Sequence, residues 1–397
     1  MESTLFTKLQ NFRAALNCAH LEREHIIDGL LATLLSRQNA FLLGLPGTGK
    51  SDLIRSICGG IEQAKYFGYL LSPTTDPSEL FGPVAVTKLL KDEYTRDVEG
   101  YLPSCNIAFL DELFRSNSAI LNSLLTLLNE RTFNNGKVNI KTPIQSIIAA
   151  TNSWPTEESL QAFGDRFLFR PTIDGLKKPV SKVKLDRWGL GIEPRPAVGV
   201  HMTMEDLSQL QKEAEQMPVS GNFLEKFSNV WDLLTQHGIQ ISDRRRVQIL
   251  RFLQAWAVVQ GDDELVPEHM HGSIIHIVYQ SEDDKSTILE VLEQEIPTAD
   301  RIFKDAKRAA SGIMSEFTAT VPDAKQNSTI SALSEYVGRV KKMYSDIDMI
   351  LTKINKIMDG SHLKLSVQDR TKGTKLIQSL ESNKTTLAKA LADISTH

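Results

Sequence analysis

Hydrophobic and polar residues follow two different patterns in the first half of the chain. In residues 5–36, apolar side chains recur at spacings of three and four, as in Ile27, Leu30 and Leu31, which predicts helices. From residue 40 to about residue 172, short apolar runs alternate with helical segments. The runs are AFLL, AKYFGYLL, NIAFLD and QSIIAAT, and the helical segments include DLIRSIC and SAILNSLLTLLNE. This alternation predicts an α/β fold in which helices cover both faces of a parallel sheet.

Two stretches interrupt this alternation. Residues 81–103 (FGPVAVTKLLKDEYTRDVEGYLP) contain short β-like runs that are broken by Gly and Pro. Residues 131–145 (RTFNNGKVNIKTPIQ) carry Asn-Asn-Gly between two possible strands, which indicates a β-hairpin. We therefore predict two β insertions that project from the core, and plain surface loops are the alternative.

A change of composition follows the α/β segment. The stretch KKPVSKVKLDRWGLGIEPRPAVGVHM holds Pro, Gly and basic residues without periodicity, so we predict a linker at residues 179–200. The α/β core then covers residues 1–178, and a small helical domain covers residues 201–280. Within that domain three segments have helical patterns, and Ser242 and Asp243 are well placed to cap the third.

Residues 281–397 are predicted to form a C-terminal helical domain. One segment has an apolar a/d seam over four heptads, and a second helix follows it after a break, which predicts a heptad hairpin at residues 328–395. The seam consists of Ile330, Leu333, Val337, Val340, Tyr344, Ile347, Leu351, Ile354 and Met358. A helical hairpin or three-helix bundle is favoured over an intermolecular coiled coil, because a partner helix lies nearby in the chain.

The segment GLPGTGKS follows the first apolar run and precedes a helical segment. It fits the pattern GxxxxGK[ST], which a chain of this length matches by chance about one time in a hundred. In such a loop the glycines let backbone N–H groups turn toward phosphate oxygens, Lys50 reaches the β- and γ-phosphates, and Ser51 ligates Mg²⁺. A fortuitous turn is the alternative. The predicted nucleotide-binding residues of this loop are Gly44, Pro46, Gly47, Thr48, Gly49, Lys50 and Ser51.

Two further strands end in polar residues that suit hydrolysis of a bound nucleotide. The run NIAFLDE ends in Asp111, which can hold a water on Mg²⁺, and Glu112, which can orient or deprotonate the attacking water. The run SIIAATN ends in Asn152. Because the carboxyl ends of adjacent parallel strands converge on one edge of a sheet, Asn152 is expected to lie near Asp111 and Glu112 and to help position the water. A plain strand end is the alternative for each run.

Composition narrows the classes of function. The 397 residues include 45 basic and 49 acidic side chains, so a net charge of -4 provides no global positive field for nucleic acid or an anionic membrane. Three cysteines lie far apart, and no pair has metal-ligand spacing, which suits a reducing cytoplasm. No apolar run approaches the roughly 18 residues that span a bilayer. We expect a soluble, unexported cytoplasmic protein.

Taken in order, these motifs resemble the AAA+ ATPases, more narrowly the MoxR family and, within it, the RavA branch. The matching stretches are LEREHIIDGLLATLLSRQNAFLLGLPGTGKS, TDPSELFGPV, GYLPSCNIAFLDELFRSNSAILNSLLTLLNERTFNNG, AATN, DRFLFR and SDRRR, within residues 15–260. The resemblance implies a P-loop AAA+ core with a helical lid at residues 201–280. It also implies a ring, usually a hexamer, that binds ATP between neighbouring subunits.

The resemblance assigns roles to individual residues. Asn152 matches sensor 1, and Arg166 matches the arginine finger that reaches a neighbour's γ-phosphate. Such an arginine offsets charge on the transferred phosphoryl group and makes hydrolysis depend on assembly, whereas a surface salt bridge is the alternative role. Arg244 matches sensor 2, with Arg245 as the fallback in a run of three arginines. Leu21 matches an apolar residue that covers adenine, and a plain core leucine is its alternative.

The resemblance also implies a function. Residues 82–100 and 132–142 match inserts that face the pore or the client in related rings. The expected activity is ATP-driven remodelling or activation of a protein client, with a von Willebrand factor A domain protein as partner. The alternatives are a nucleic-acid-directed motor or defence-associated ATPase, and a nucleotide-gated assembly scaffold. RavA carries a further β-rich partner-binding domain, whereas this chain ends in the heptad segment, so RavA's partner is not transferred.

Overall fold

The computed structural model describes residues 3–152, 157, 160, 163–279, 282–326, 330–359 and 367–395. These residues form two compact units, Met1–Leu289 and Glu290–His397. Each unit is considered separately below. Among the described residues, no helix is both long and apolar enough to cross a membrane.

The chain begins with two helices, α1 (Ser3–Ala19) and α2 (Glu24–Leu35), as the apolar spacing predicts. Every residue of α2 from Ile26 to Leu35 is buried, so this helix lies inside the unit rather than on its surface. The helix also contains a buried charged residue, Asp28. The buried carboxylate of Asp28 accepts hydrogen bonds from Arg13 Nε at 2.5 Å and from Gln260 Nε2 at 2.8 Å, which offsets the cost of burying a charge.

A four-stranded parallel sheet forms the centre of the first unit. Its strands are β1 (Ala40–Leu43), β3 (Tyr66–Leu70), β4 (Ile107–Asp111) and β7 (Ser146–Thr151). They lie side by side in the order β1–β7–β4–β3, and each pair is parallel. All residues of β1 and β7 are buried, which explains why these strands have apolar runs rather than alternation. The predicted α/β class is confirmed.

Helices follow the strands as the sequence predicts. Helix α3 (Lys50–Gly59) leaves the end of β1, and its buried face includes Leu53, Ile54 and Ile57. Helix α6 (Ser118–Glu130) follows β4, and Asn117 caps it by accepting a hydrogen bond from the Ile120 N–H. These helices close the core over the sheet.

The two insertions differ from each other. The second is the predicted hairpin, in which β5 (Thr132–Asn135) pairs with β6 (Val138–Lys141) in antiparallel register. The first contains α5 (Val86–Leu89), and its isolated bridge joins Val84 to Arg96, so the prediction of a β insertion is wrong for most of this stretch. Short helix α4 (Pro77–Phe81) precedes it. The run KLLK at residues 88–91 supplies good helix formers, which favour a helical turn over a strand there.

The predicted linker contains a helix. Helix α7 (Pro179–Gly189) begins with Pro179 at its first turn, a position where the missing N–H costs nothing, and none of its residues is buried. Without a buried stripe, the segment has no apolar period that would predict a helix. The chain then returns to the core, where β8 (Met202–Thr203) pairs with β2 (Ile61–Glu62).

A group of helices completes the first unit. It contains α8 (Met204–Glu215), α9 (Phe223–Gln236), α10 (Asp243–Gln260) and the short α11 (His269–Ser273). Ser242 caps α10, as predicted, by accepting a hydrogen bond from the Arg245 N–H at 3.3 Å. Helix α12 (Glu282–Glu295) follows, and the division between the two units falls within it. The predicted boundary at residue 281 lies outside the described residues.

The second unit is a bundle of long helices. They are α13 (Ala299–Gln326), α14 (Ile330–Met358) and α15 (Val367–Ser395). Four residues of the predicted seam are buried in its core, namely Val340, Ile347, Leu351 and Ile354, while the side chains of Ile330 and Leu333 lie outside the described residues. Leu380 and Leu387 from α15 share that core. The seam therefore packs within the chain, and the predicted helical bundle is confirmed.

A single truncation tests the contribution of this seam. We expect Ile347→Ala, at a site with 0% exposure, to lower the free energy of unfolding of the bundle by about 2–5 kcal/mol through lost burial and a residual cavity. Met349→Ala on the same helix, at 66% exposure, is the matched control and should change it by less than about 0.5 kcal/mol. Hydrogen-exchange protection of residues 330–358 in the whole chain measures both. Equal effects of the two changes would contradict this packing.

Candidate nucleotide-binding and arginine sites

The GLPGTGKS loop leaves the end of β1 at the carboxyl edge of the sheet. The Gly44 N–H donates to the Thr151 carbonyl at 3.1 Å, which fastens the start of the loop to β7. A Cβ at residue 44 would lie 2.3 Å from the Ile173 carbonyl oxygen, so only glycine fits there. Gly49 has φ of 81°, a left-handed conformation that glycine adopts at little cost, and α3 begins at the next residue. The loop therefore leads directly into a helix N-terminus.

Lys50 and Ser51 occupy the first turn of α3. Lys50 Nζ donates to the carbonyls of Gly44 at 2.7 Å and Leu45 at 3.0 Å, so the ammonium lies against the loop. Burial lowers the pKa of Lys50, and the carboxylates of Asp111 and Glu112 oppose this shift. The positive end of α3 and the lysine together favour an anion. This arrangement fits a phosphate-binding loop.

Glu112 lies just beyond the end of β4 in an uncommon conformation. Its φ and ψ are 54° and 42°, in the left-handed region that costs free energy for a side chain other than glycine. The Glu112 N–H donates to Asp111 Oδ1 at 3.0 Å, and Asn152 Nδ2 donates to Glu112 Oε1 at 2.8 Å. Arg115 Nε lies 3.4 Å from Glu112 Oε2. The structure thus brings Asp111, Glu112 and Asn152 together.

The donor set suits a magnesium ion that is held mainly by a nucleotide. Among the described residues, no three His, Cys, Asp or Glu side chains cluster as a metal site. Mg²⁺ in nucleotide sites uses one or two protein oxygens together with phosphates and water. Ser51 at the start of α3 and Asp111 at the end of β4 could supply those oxygens, so the residues present fit the ion.

A cavity of about 710 Å³ opens beside the phosphate-binding loop. Pro46, Gly47, Thr48 and Gly49 line one part of it, and Leu21 lines another. A further part of the wall comes from the predicted linker, which no sequence signal had placed at the site. Its residues there are Lys182, Leu185, Asp186, Trp188 and Arg195, and Leu176 lies just before the linker. Its residues are exposed or half-buried, so no apolar period indicated them.

Arg166 and Arg244 border a second cavity of about 640 Å³. Among the described residues that line it, none belongs to the phosphate-binding loop. Arg244 Nη2 donates to Asn129 Oδ1 at 3.1 Å on the cavity wall. The other basic residues of the lining are Arg37, Arg131, Lys141, Arg245 and Arg251, and its acidic residue is Asp165. The structure therefore places Arg244 beside Arg166 rather than in the cavity next to the chain's own loop.

Asn39, which the sequence analysis did not single out, positions the backbone at Arg166. Its amide accepts from the Ile147 N–H at 3.1 Å and donates to the carbonyls of Arg166 at 3.3 Å and Leu128 at 3.4 Å. The side chain is buried, so each of these bonds replaces one to water. A polar residue immediately before an apolar strand was the available signal.

Arg245 has a different environment from Arg244. Its guanidinium is nearly buried and donates to the carbonyls of Asp165 at 2.9 Å and Ile277 at 2.6 Å. Burial, and then the neighbouring Arg170 cation, lowers the pKa of Arg245 to about 9. Arg245 therefore joins the backbone of two segments, which favours Arg244 as the functional residue of the pair.

Substituting each arginine separates these roles. Arg245→Ala should lower the free energy of unfolding of the first unit by about 2–3 kcal/mol, because the Ile277 carbonyl in a buried bond and the Asp165 carbonyl in a part-buried bond lose their donor. Arg244→Ala should change it by less than about 0.5 kcal/mol, since its partner is exposed. Denaturant unfolding followed by tryptophan fluorescence compares them. Equal destabilisation by the two substitutions would count against a structural role particular to Arg245.

A family profile and two proteins of known sequence are similar to this chain. The family profile that matches residues 7–212 is described as the MoxR domain in the MoxR-vWA-beta-propeller ternary systems. Two uncharacterized proteins of Methanocaldococcus jannaschii, MJ0079 and MJ0812, are similar to the chain. The first is 35% identical over 291 residues, 73% of this chain and 75% of the relative. The second is 36% identical over 278 residues, 70% of this chain and 72% of the relative.

A solved structure agrees with the fold. The crystal structure of a candidate ATPase from Cytophaga hutchinsonii superposes with a TM-score of 0.59 at 16% identity, and covers 74% of this chain and 95% of that one. At this identity the likeness concerns the fold alone. The family profile spans just over half of the chain, and it includes the phosphate-binding loop, the Asp111–Glu112 strand end and Arg166. The chain belongs to the MoxR family of AAA+ ATPases.

Proposed function

We propose that the chain hydrolyses ATP in a ring of identical subunits, usually six, and uses that hydrolysis to remodel a protein client. The observation that carries this proposal is the separation of two half-sites on one subunit. Residues 46–49 of the phosphate-binding loop line one cavity, whereas Arg166 and Arg244 line another. A complete site of all these residues then needs a second copy, as in heterologous rings.

In this mechanism the chain's own residues bind the nucleotide and move one proton. The loop N–H groups and Lys50 bind the β- and γ-phosphates, and Asn152 holds the Glu112 carboxylate toward the attacking water. Glu112 accepts a proton as that water's oxygen bonds to the γ-phosphorus and the bond to the ADP oxygen breaks. Mg²⁺, which Ser51 and Asp111 would hold, supplies Lewis-acid stabilisation of the phosphate oxygens.

We further propose that both Arg166 and Arg244 act on the nucleotide of a neighbouring subunit. The cavity that they border has seven basic side chains and one acidic side chain, which favours an anion. Guanidinium groups suit phosphate oxygens because their N–H donors form a planar fork. Sensor 2 would then act between subunits, together with the arginine finger.

The client and partner surfaces are part of the same proposal. The family profile is described by its association with vWA and beta-propeller proteins, which supports a von Willebrand factor A domain partner. The first insertion exposes several large apolar side chains, including Leu90 at 83% and Val86 at 67%. The hairpin adds Val138. Exposed apolar patches of this kind mark protein contacts, so residues 82–100 and 132–142 remain the proposed client surface.

The three cysteines form no disulfide, which is consistent with the proposed location in the reducing cytoplasm. Membership of the RavA branch remains a prediction.

Glu112→Gln tests the hydrolytic role. The amide keeps the size of the side chain but cannot accept the proton, so we expect ATP binding within about twofold of the wild type and a fall in kcat of at least about 100-fold. Phosphate release measures turnover, and calorimetry measures binding. Undiminished hydrolysis would sink the assignment of Glu112. Slow turnover in the wild type, even with partner added, would favour a nucleotide-gated scaffold.

Mixed assemblies test the action between subunits. We expect Lys50→Ala and Arg166→Ala each to abolish most turnover, and a one-to-one mixture to recover roughly a quarter of the wild-type rate, because a quarter of random interfaces combine an intact loop with an intact arginine. Arg244→Ala mixed with Lys50→Ala should recover in the same way.

The second mixture distinguishes the two possible roles of Arg244. If Arg244 served its own subunit's nucleotide, each subunit of that mixture would carry one defect in its own site, and no activity would return. Recovery with Arg166→Ala but not with Arg244→Ala would therefore restrict the action between subunits to Arg166.

A further inference from the structure

A segment that includes most of the predicted linker at residues 179–200 lies along the cavity beside the phosphate-binding loop. We call this segment, residues 174–195, the strap. Its start is fastened to the turn between α1 and α2, where the Glu22 carboxylate accepts from the N–H groups of Lys177 and Lys178, each at 2.8 Å. Arg23 Nη2 donates to the Asp174 carbonyl at 2.7 Å. These bonds join the strap to the turn that carries Leu21.

The other end of the strap is fastened beside the phosphate-binding loop. Arg195 Nη1 lies 2.7 Å from Asp52 Oδ2, and Asp52 directly follows Ser51 in α3. Arg195 Nε also donates to the Ala19 carbonyl at 2.9 Å, and Nη2 donates to His20 Nδ1 at 3.1 Å. Burial, and then the Arg195 cation, lowers the pKa of His20 to about 4, so the neutral ring accepts this bond. One guanidinium thus holds the strap to both α1 and α3.

Between these two ends lies α7, and none of its residues is buried. Leu185 and Trp188 instead line the cavity together with Leu21. The Trp188 ring is half-buried and has cations nearby, with Lys184 Nζ 5.3 Å and the Arg195 guanidinium carbon 6.0 Å from its centre. An aromatic ring and two leucines form an apolar wall that continues from the loop. An apolar, aromatic wall offers few hydrogen-bond donors to phosphate groups, but it provides a surface on which a heteroaromatic base can stack.

We propose that the strap is the base-binding wall of the ATP site, in which Trp188 stacks on the adenine and Arg195 positions the strap through Asp52 and the Ala19 carbonyl. This proposal rests on the proposed ATP binding at the phosphate-binding loop. The occupant is identified by continuity, because residues 46–49 line the same cavity as Trp188. A nucleotide with its phosphates in the loop would extend its base along this cavity.

Two ligands separate base contacts from phosphate contacts. The full-length chain is titrated by calorimetry, in the presence of Mg²⁺, with ADP and with inorganic triphosphate, which has no base. Trp188→Ala should weaken ADP binding about 10- to 100-fold, the usual effect of removing one base–aromatic stack, and should leave triphosphate binding within about twofold. Trp188→Phe should retain ADP binding within about threefold, because it keeps a ring. In steady-state assays KM for ATP should rise while kcat stays near the wild-type value.

Arg195 needs a readout that a merely structural role would not change. Arg195→Ala should weaken ADP binding about threefold to fivefold and again leave triphosphate binding unchanged, as expected for a half-exposed ion pair. Asp52→Asn removes only one of the contacts of Arg195 and should have a smaller effect on ADP, and the double substitution should be no worse than Arg195→Ala alone, because Asp52 acts on the strap through Arg195. Arg187→Ala is the matched control, since Arg187 pairs with Glu193 on the same strap and does not line the cavity.

Each outcome bears on one proposal. Equal ADP affinity of Trp188→Ala and the wild type would overturn the base-binding wall while leaving the ATP site intact. Parallel loss of ADP and triphosphate binding in Trp188→Ala would also overturn it, because the effect would then not concern the base. If the wild-type chain binds neither ligand, the proposed ATP site itself fails. Because α7 buries no side chain, the Trp188 variants should unfold at the wild-type temperature.

Discussion

The parallel pairing of β7 with both β1 and β4 is the constraint on which the candidate site depends. β7 is an inner strand of the sheet, between the strand that leads into the phosphate-binding loop and the strand that leads into Asp111 and Glu112. Its register matches Leu43 to Thr151 on one side and Leu110 to Ala149 on the other. Three chain segments that are distant in sequence therefore end at one edge. The Asn152–Glu112 hydrogen bond is a direct result of that register.

This dependence explains why so much of the site could be predicted. Strands buried on both faces leave uninterrupted apolar runs, and the rule that ligands bind at the carboxyl ends of parallel strands does not require knowledge of loops. The glycines and Lys50 could be proposed as a phosphate-binding loop because phosphate binding restricts both the spacing and the type of such residues. What the sequence could not show was the left-handed conformation of Glu112, since that depends on the turn that follows the strand.

The parts that were missed or misassigned share a physical feature, which is exposure. Helix α7 buries none of its residues, and α5 buries none either, so neither has an apolar stripe of helical period. Within α10 the sequence could not show which way each of two adjacent arginines, Arg244 and Arg245, points. Consecutive helical residues point about 100° apart, so adjacent arginines must meet different surroundings. Arg245 turns into the backbone of its own unit while Arg244 reaches Asn129, and only packing distinguishes them.

The strap also relates the two cavities of the first unit through the order of the chain. After Arg195 the chain forms β8, which pairs with β2, the strand that follows α3. The chain then continues through α8 and α9 to α10, which carries Arg244 in its first turn. The strap, which lines the cavity beside the phosphate-binding loop, thus precedes the segment that carries Arg244 at the other cavity. Between them β8 is fixed to the core by its pairing with β2. A base that presses on Trp188 would act on a segment whose far end is held by Asp52, next to Ser51. Occupancy of the base cavity would therefore bear most directly on the N-terminus of α3, through the Arg195–Asp52 ion pair.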